Sequence, residues 1–216
     1  MHIIELELLS DDLGETEKFY KKVLGLDPYM KEDKSILFFQ IGSTKLIFRK
    51  SDNLKPVYHF AFDVPTNRFF DAHNAIKKHT AILPVNGDDI SNFTNWDAKS
   101  FYFKDNNGNI LEIITRYPNR EYYEDAYSSK CLLSISEIGF VTSNVIELSD
   151  TLINEYGMPV FSKQPRGENF TVLGDDCGLF IVVSKNRDWF PTNIPAKTCT
   201  TRVLYIDKGN VGYIVR

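Results

Sequence analysis

Three stretches place an acid or an imidazole inside an otherwise apolar strand. In SFYFKDNNGNILEIITR, Ser100 to Arg116, Glu112 interrupts the run Ile110, Leu111, Glu112, Ile113, Ile114. In HFAFDV, His59 opens an apolar run, and in IIELELL, Glu5 and Glu7 alternate with leucine. Strand alternation sets Ile110, Glu112 and Ile114 on one face. A carboxylate buried there without a partner is expensive, so Glu112 needs either solvent, a hydrogen-bond donor or a cation. A lone histidine in an apolar strand is usually a satisfied structural residue. A solvated edge face would account for Glu5, Glu7 and Leu9. No nucleophilic triad or glycine-rich phosphate loop stands out, and SDDLGET has the character of a helix cap.

The elements that carry these residues recur in a fixed order. A strand over Ile3 to Leu9 precedes a helix over Gly14 to Leu24, capped by Asp11 or Asp12 and ended by Gly25. Short strands follow at Tyr29 to Lys31, Ser35 to Gln40 and Lys45 to Arg49, the last two joined at Gly42-Ser43. The order repeats with a strand at Val57 to Val64 and a helix at Arg68 to Lys78. Strands follow near Ile90 to Asn92, at Ser100 to Lys104 and at Ile110 to Arg116. A third copy runs from a strand at Ser134 to Thr142 and a helix at Val145 to Tyr156, closed by Gly157, through strands near Pro159 to Ser162, Asn169 to Gly174 and Leu179 to Ser184. Thr201 to Ile206 and Gly212 to Val215 read as an unfinished fourth copy. A strand–helix–three-strand unit with a period of about 60 to 70 residues predicts an α+β fold of tandem βαβββ units. Two units side by side close an open sheet face into a cleft.

Composition bounds the function. Hydrophobic residues make up 43% of the 216 and charged residues 25%, enough for an ordinary core. The net charge of −4 comes without a Lys/Arg cluster, which argues against nucleic acid as a partner. No apolar run reaches membrane-spanning length. The opening MHIIELELL lacks a basic region and a cleavage site, so no signal peptide is expected. Cys131, Cys177 and Cys199 show no metal or redox spacing and read as reduced thiols in a cytoplasmic protein.

The order of elements resembles the vicinal oxygen chelate superfamily, which includes glyoxalase I, fosfomycin-resistance proteins, extradiol dioxygenases and bleomycin-resistance proteins. FYKKVLGL (Phe19 to Leu26), HFAFDV (His59 to Val64) and FKDNNGNILEI (Phe103 to Ile113) carry the resemblance, in the right order and at the right intervals. It implies that residues 1–118 form a complete domain of two paired units making a cup. Residues 119–131 would be a linker, and 132–216 a third unit with a truncated fourth.

The resemblance also implies a divalent metal held by inward side chains on the first and last strands of each unit. Carried over by register, those positions are Glu5, Leu46, His59 and Glu112, so the implied ligands are Glu5, His59 and Glu112. Glu137 in SISEIGF has the same register as Glu5 and His59. Its unit offers no acidic partner over Leu179 to Ser184, and it is expected to be structural or solvated. A Glu/His/Glu set suits Mn²⁺, Fe²⁺, Ni²⁺, Zn²⁺ or Mg²⁺. It departs from the two-His-one-carboxylate set of non-haem iron oxygenases, and Leu46 removes the usual carboxylate base of an isomerase. What the resemblance then implies is Lewis-acid chemistry, of a lyase, isomerase or dioxygenase-like kind, on a small oxygen-bearing molecule. The catalytic residue is left unassigned. Phe39, Phe48, Phe101 and Phe103, with Trp96 and Tyr102 nearby, are either core or the walls of a cup for a planar or apolar ligand; the four phenylalanines are taken as the substrate-binding set. The alternative is a metal-free protein that sequesters a small molecule, like the bleomycin-resistance members. The third unit's open face calls for a cover, either the first domain or a second copy in a homodimer.

Overall fold

The computed structural model describes residues 1–33 and 35–216. The first unit is β1 (His2–Ser10), α1 (Leu13–Leu24), β2 (Met30–Glu32), β3 (Ile36–Ile41) and β4 (Thr44–Lys50). The second is β5 (His59–Asp63), α2 (Phe69–Lys77), β6 (Ile82–Leu83), β7 (Ser91–Phe93), β8 (Ala98–Lys104) and β9 (Ile110–Arg116). The third is β10 (Ser134–Thr142), α3 (Val145–Tyr156), β11 (Phe170–Asp175) and β12 (Gly178–Ser184). A short hairpin follows, β13 (Asp188–Trp189) with β14 (Ile194–Pro195), and then β15 (Arg202–Asp207) with β16 (Asn210–Val215). The fold is α+β, as the repeat predicts.

The helices start and stop for the same local reasons. Asp12 Oδ1 accepts the Glu15 amide at 3.0 Å, and Asn144 Oδ1 accepts the Glu147 amide at 3.1 Å. Gly25 and Gly157 then close α1 and α3 in the left-handed region, at φ 68° and 69°. The expected strand at Pro159 to Ser162 is reduced to a single bridge between Val160 and Leu173. No helix among the described residues is long and apolar enough to cross a membrane.

The units pair differently from the expected order. The first unit shares a six-stranded sheet, β16-β15-β1-β4-β3-β2, with the C-terminal hairpin. The second unit shares a larger sheet, β11-β12-β10-β5-β9-β8-β6, with the third. Residues 1–118 therefore do not close one cup by themselves. The cup of the second unit is completed by residues 134–184, through antiparallel pairing of β5 with β10. The edge of β5 is satisfied by a distant strand, which local sequence pattern does not specify.

One apolar core spans both sheets and the helices, with Leu6, Phe39 and Phe48 from the first sheet, Phe60, Phe101 and Leu111 from the second, and Tyr20, Phe69 and Leu148 from the helices. Alternation then decides what faces the other way. On β9, Leu111 and Ile113 enter this core. Ile110, Glu112 and Ile114 face the concave side of the large sheet, and on β12 Leu179, Ile181 and Val183 do the same.

The turn between β8 and β9 is held by one buried carboxylate. Asp105 Oδ1 accepts the amides of Asn107 (2.9 Å) and Asn109 (3.0 Å). Its Oδ2 accepts Asn109 Nδ2 (2.8 Å) and the Tyr20 hydroxyl of α1 (3.2 Å). Burial pushes the Asp105 carboxyl up to about 6, against the pull of these donors. The unfolded chain has the lower value, so the native state binds the extra proton between about pH 4 and 6, and stability falls as pH rises through that window. Asp105→Asn is expected to flatten this part of the slope in urea unfolding measured across the same range. A variant slope equal to that of the wild type would contradict the assignment.

Candidate metal centre

Three neighbouring strands, β10, β5 and β9, present one row of residues to the concave side. Glu137 lies opposite Ala61, and Ala61 opposite Glu112. His59 stands two residues before Ala61 and shares its face. The outer strands of the row are separated by two inter-strand steps, roughly 10 Å. The small Ala61 between them leaves room for the two carboxylates to converge. A β-bulge between Ile135 and Glu137 sets this parity: the extra residue, Ser136, leaves the row, and Glu137 enters it.

Each of the three side chains has one polar atom engaged from outside and the other turned inward. His59 Nδ1 donates to the Ile110 carbonyl at 3.1 Å, which leaves Nε2 free. Glu112 Oε1 accepts the Tyr102 hydroxyl at 3.0 Å. Glu137 Oε1 accepts Arg116 Nη2. The inward atoms are His59 Nε2, 3.5 Å from Glu112 Oε2 and 3.9 Å from Glu137 Oε2. One ligand atom from each residue lies within 4.8 Å of the others, and the three residues are only 3–7% exposed.

The electrostatics call for a cation. Arg116 is buried, and its Nη1 also donates to Asp63 Oδ1 (3.2 Å) and Ser136 Oγ (2.9 Å). Three carboxylates, Asp63, Glu112 and Glu137, face this one guanidinium. When all are ionised and His59 is neutral, two negative charges remain, which one divalent ion balances. Protons are the other way to settle the charge. Burial, with Glu137 next to it, pushes the Glu112 carboxyl up to about 7. Burial pulls the His59 imidazole down, but Glu137 and Glu112 outweigh it and leave it above its ordinary value. One imidazole and two carboxylates are donors of the kind that divalent first-row ions and Mg²⁺ take, and engaged outer atoms are the usual support of such ligands. The residues present fit a divalent metal.

The fourth register position, on the last strand of the third unit, is Ile181, opposite Gly139 in the way Glu112 is opposite Ala61. It is apolar and lines the cavity beside the triad. Three protein ligands with an apolar fourth position leave coordination open toward that cavity. Gly139 is required here: a Cβ at this position would lie 2.4 Å from the Trp189 ring, which packs over it.

The sequence-derived site residues divide. His59 and Glu112 come together. Glu5 does not join them: it lies in the other sheet, opposite Lys45, and accepts Lys45 Nζ at 2.8 Å. Glu5 follows a bulge between Ile3 and Glu5, just as Glu137 follows its own, so the two are equivalent positions in different sheets. Leu46 points into the core, and the position facing Glu7 is Ile47. Phe39, Phe48, Phe101 and Phe103 are fully buried in the main core and do not line the cavity. On β8 it is Tyr102, one residue out of phase with Phe101 and Phe103, that faces the site. Glu137, expected to be structural or solvated, is the third member of the cluster. Its signal was its register, shared with His59. Trp189, Phe190 and Arg187, on and beside the β13–β14 hairpin, had no periodic signal and were missed.

Among solved structures, the chain is similar to a candidate dioxygenase from Bacillus subtilis, with TM-score 0.62 and 16% identity over 85% of this chain and 63% of that one. It is also similar to a glyoxalase I variant from Zea mays, with TM-score 0.59 and 14% identity over 91% of this chain and 70% of that one. At these identities the likeness is one of fold, and the chain spans 63% of the length of the Bacillus protein. No family model matches the sequence, and no curated protein does.

Arg116 carries the buried charge of this site. Replacing it by methionine leaves Asp63 and Glu137 without their guanidinium, at a cost of about 3–5 kcal/mol. Urea unfolding of chelator-treated Arg116→Met above pH 7 is expected to show that loss. It should shrink as the pH falls, because Asp63, pushed up to about 6 by its burial even with Arg116 beside it, rises further without the guanidinium and takes a proton. A loss under about 1 kcal/mol would show that the cluster holds together without Arg116.

Proposed function

We propose, from the premise that this chain has the vicinal oxygen chelate fold, that it is a metal-dependent enzyme acting on a small oxygen-bearing molecule in the cup of the large sheet. His59, Glu112 and Glu137 hold a divalent ion. The observation that carries this reading is the set of three inward-facing acceptor atoms, each fixed by an outer hydrogen bond, in a buried cluster with excess negative charge. Such a cluster without a cation or protons is costly.

A bound divalent ion supplies Lewis acidity to substrate oxygens that enter from the open side. The protein's own residues supply the rest. Ile110 and Tyr102 fix the ring of His59 and the carboxylate of Glu112. Arg116 keeps Glu137 turned with one oxygen inward. Ile181 and Trp189 form apolar walls that limit water, which strengthens charge interactions inside the site. No carboxylate stands at the fourth position, which is Ile181, so a proton-abstracting role there has no candidate, and addition or elimination chemistry is favoured over glyoxalase-type isomerisation. The one-histidine, two-carboxylate set differs from the two-histidine set of non-haem iron oxygenases, which counts against dioxygenase chemistry. Mn²⁺, Fe²⁺, Ni²⁺, Zn²⁺ and Mg²⁺ all suit these donors.

Calorimetric titration of the chelator-stripped protein with Mn²⁺, and with each of the other four ions in turn, tests this reading. One ion per chain is expected for the wild type. Glu112→Gln and Glu137→Gln are expected to weaken binding at least about 100-fold. Tyr102→Phe, which removes only an outer hydrogen bond, should cost about 10- to 100-fold. Glu5→Gln should bind as the wild type does. No saturable binding of any of the five ions would favour the metal-free sequestering protein instead.

A further inference from the structure

The cavity beside the triad is walled largely by aromatic rings and carries one cation without a carboxylate partner among the described residues. It measures about 250 Å³. Tyr102, Phe93, Trp96, Phe170 and Phe190 line it, contributed by three separated parts of the chain. The rings brace one another edge-on: Tyr102 against Phe190 at 5.4 Å, and Phe93 against Phe190 at 6.2 Å. Edge-on packing within the wall leaves ring faces for a planar guest. An apolar cavity of about 150 Å³ already admits benzene, and pockets for drug-sized ligands run from about 300 Å³ upward. The volume therefore fits one ring with a few substituents.

The charge is Arg187. Five of the chain's eight arginines, Arg49, Arg68, Arg116, Arg166 and Arg202, pair with a carboxylate. Arg120 and Arg216 are exposed. Arg187 is half-buried on the cavity wall, with its guanidinium 4.8 Å from the centre of the Phe170 ring. Among the described residues no carboxylate lies within ion-pair distance of it, and its one polar contact is a 3.5 Å approach to the Asp188 carbonyl. A guanidinium stacked on a ring keeps its planar fork free, and that fork matches a carboxylate or phosphonate. Glu112 and Glu137 line the same cavity; they repel an anionic group and so favour Arg187 as its seat.

We propose that the ligand of this cup is a single-ring aromatic acid, its ring held among the aromatic side chains and its acid group on Arg187. The proposal rests on the reading of this cup as the substrate site, but the contacts it names need no metal. Arg187 is then the residue that selects acids over neutral aromatics.

The chain has two tryptophans, Trp96 and Trp189, and both line this cavity, so intrinsic fluorescence reports entry directly. The probes are benzoate, benzyl alcohol and cyclohexanecarboxylate, titrated into chelator-stripped protein and again into Mn²⁺-treated protein. Benzoate is expected to change the fluorescence saturably in the stripped protein and to bind more tightly than either of the others. Arg187→Gln should weaken benzoate by roughly tenfold or more and leave benzyl alcohol unchanged. Arg187→Lys should restore part of the loss. Benzoate binding that is equal in the wild type and Arg187→Gln, or absent from the stripped wild type, overturns the proposal. If Mn²⁺ binds while benzoate does not, the aromatic-acid assignment falls alone. If benzoate binds as expected while Mn²⁺ does not, the metal reading falls and the assignment of Arg187 stands.

Discussion

The antiparallel pairing of β5 with β10 is the constraint on which the site depends. Strand register has a period of two residues, so a slip by one would turn every side chain of β10 to the other face. The bulge after Ile135 fixes which parity is used. With it, Glu137 joins Ala61 and Glu112 in one row, and Ser136 leaves the row and receives Arg116. The same pairing buries the edge of β5 and forms the cup. Site geometry and sheet closure thus follow from one set of backbone hydrogen bonds.

The molecule uses its repeat twice, with opposite results. In the six-stranded sheet, Glu5 occupies the position that Glu137 has in the larger one, yet it faces Lys45. Two residues on, burial works against the charge of Glu7, but Arg49 and Arg202 hold its carboxyl below the usual range. Those acids are neutralised by side chains within the same face. In the larger sheet the strand opposite Glu137 offers Leu179 instead of a lysine. The single nearby guanidinium, Arg116, takes the outer oxygen only. A buried acidic row without its own cations leaves charge that protons or an exogenous cation must settle.

Much of the fold was legible in the sequence because its signals are local. The caps at Asp12 and the closing Gly25 and Gly157, the order of strands and helices, and the inward face of Glu112 all depend on a few consecutive residues. Which units share a sheet depends on contacts between distant segments, and the sequence pattern pointed to the first and second rather than to the second and third. That one difference moved the third member of the cluster from Glu5 to Glu137. Phe101 and Phe103 failed as pocket residues by parity: they alternate with Tyr102, and an aromatic strand gives no composition signal for which face is wet. The hairpin that carries Trp189 and Phe190, and the Arg187 beside it, were hidden because two-residue strands have no measurable period.

The most direct test of the account is anomalous diffraction from crystals soaked in Mn²⁺. One strong peak is expected among His59 Nε2, Glu112 Oε2 and Glu137 Oε2, on the side open to the aromatic cavity, and none at Glu5. A cup with no peak, in which His59 holds a proton between the two carboxylates while the crystal binds Mn²⁺ elsewhere, would contradict it.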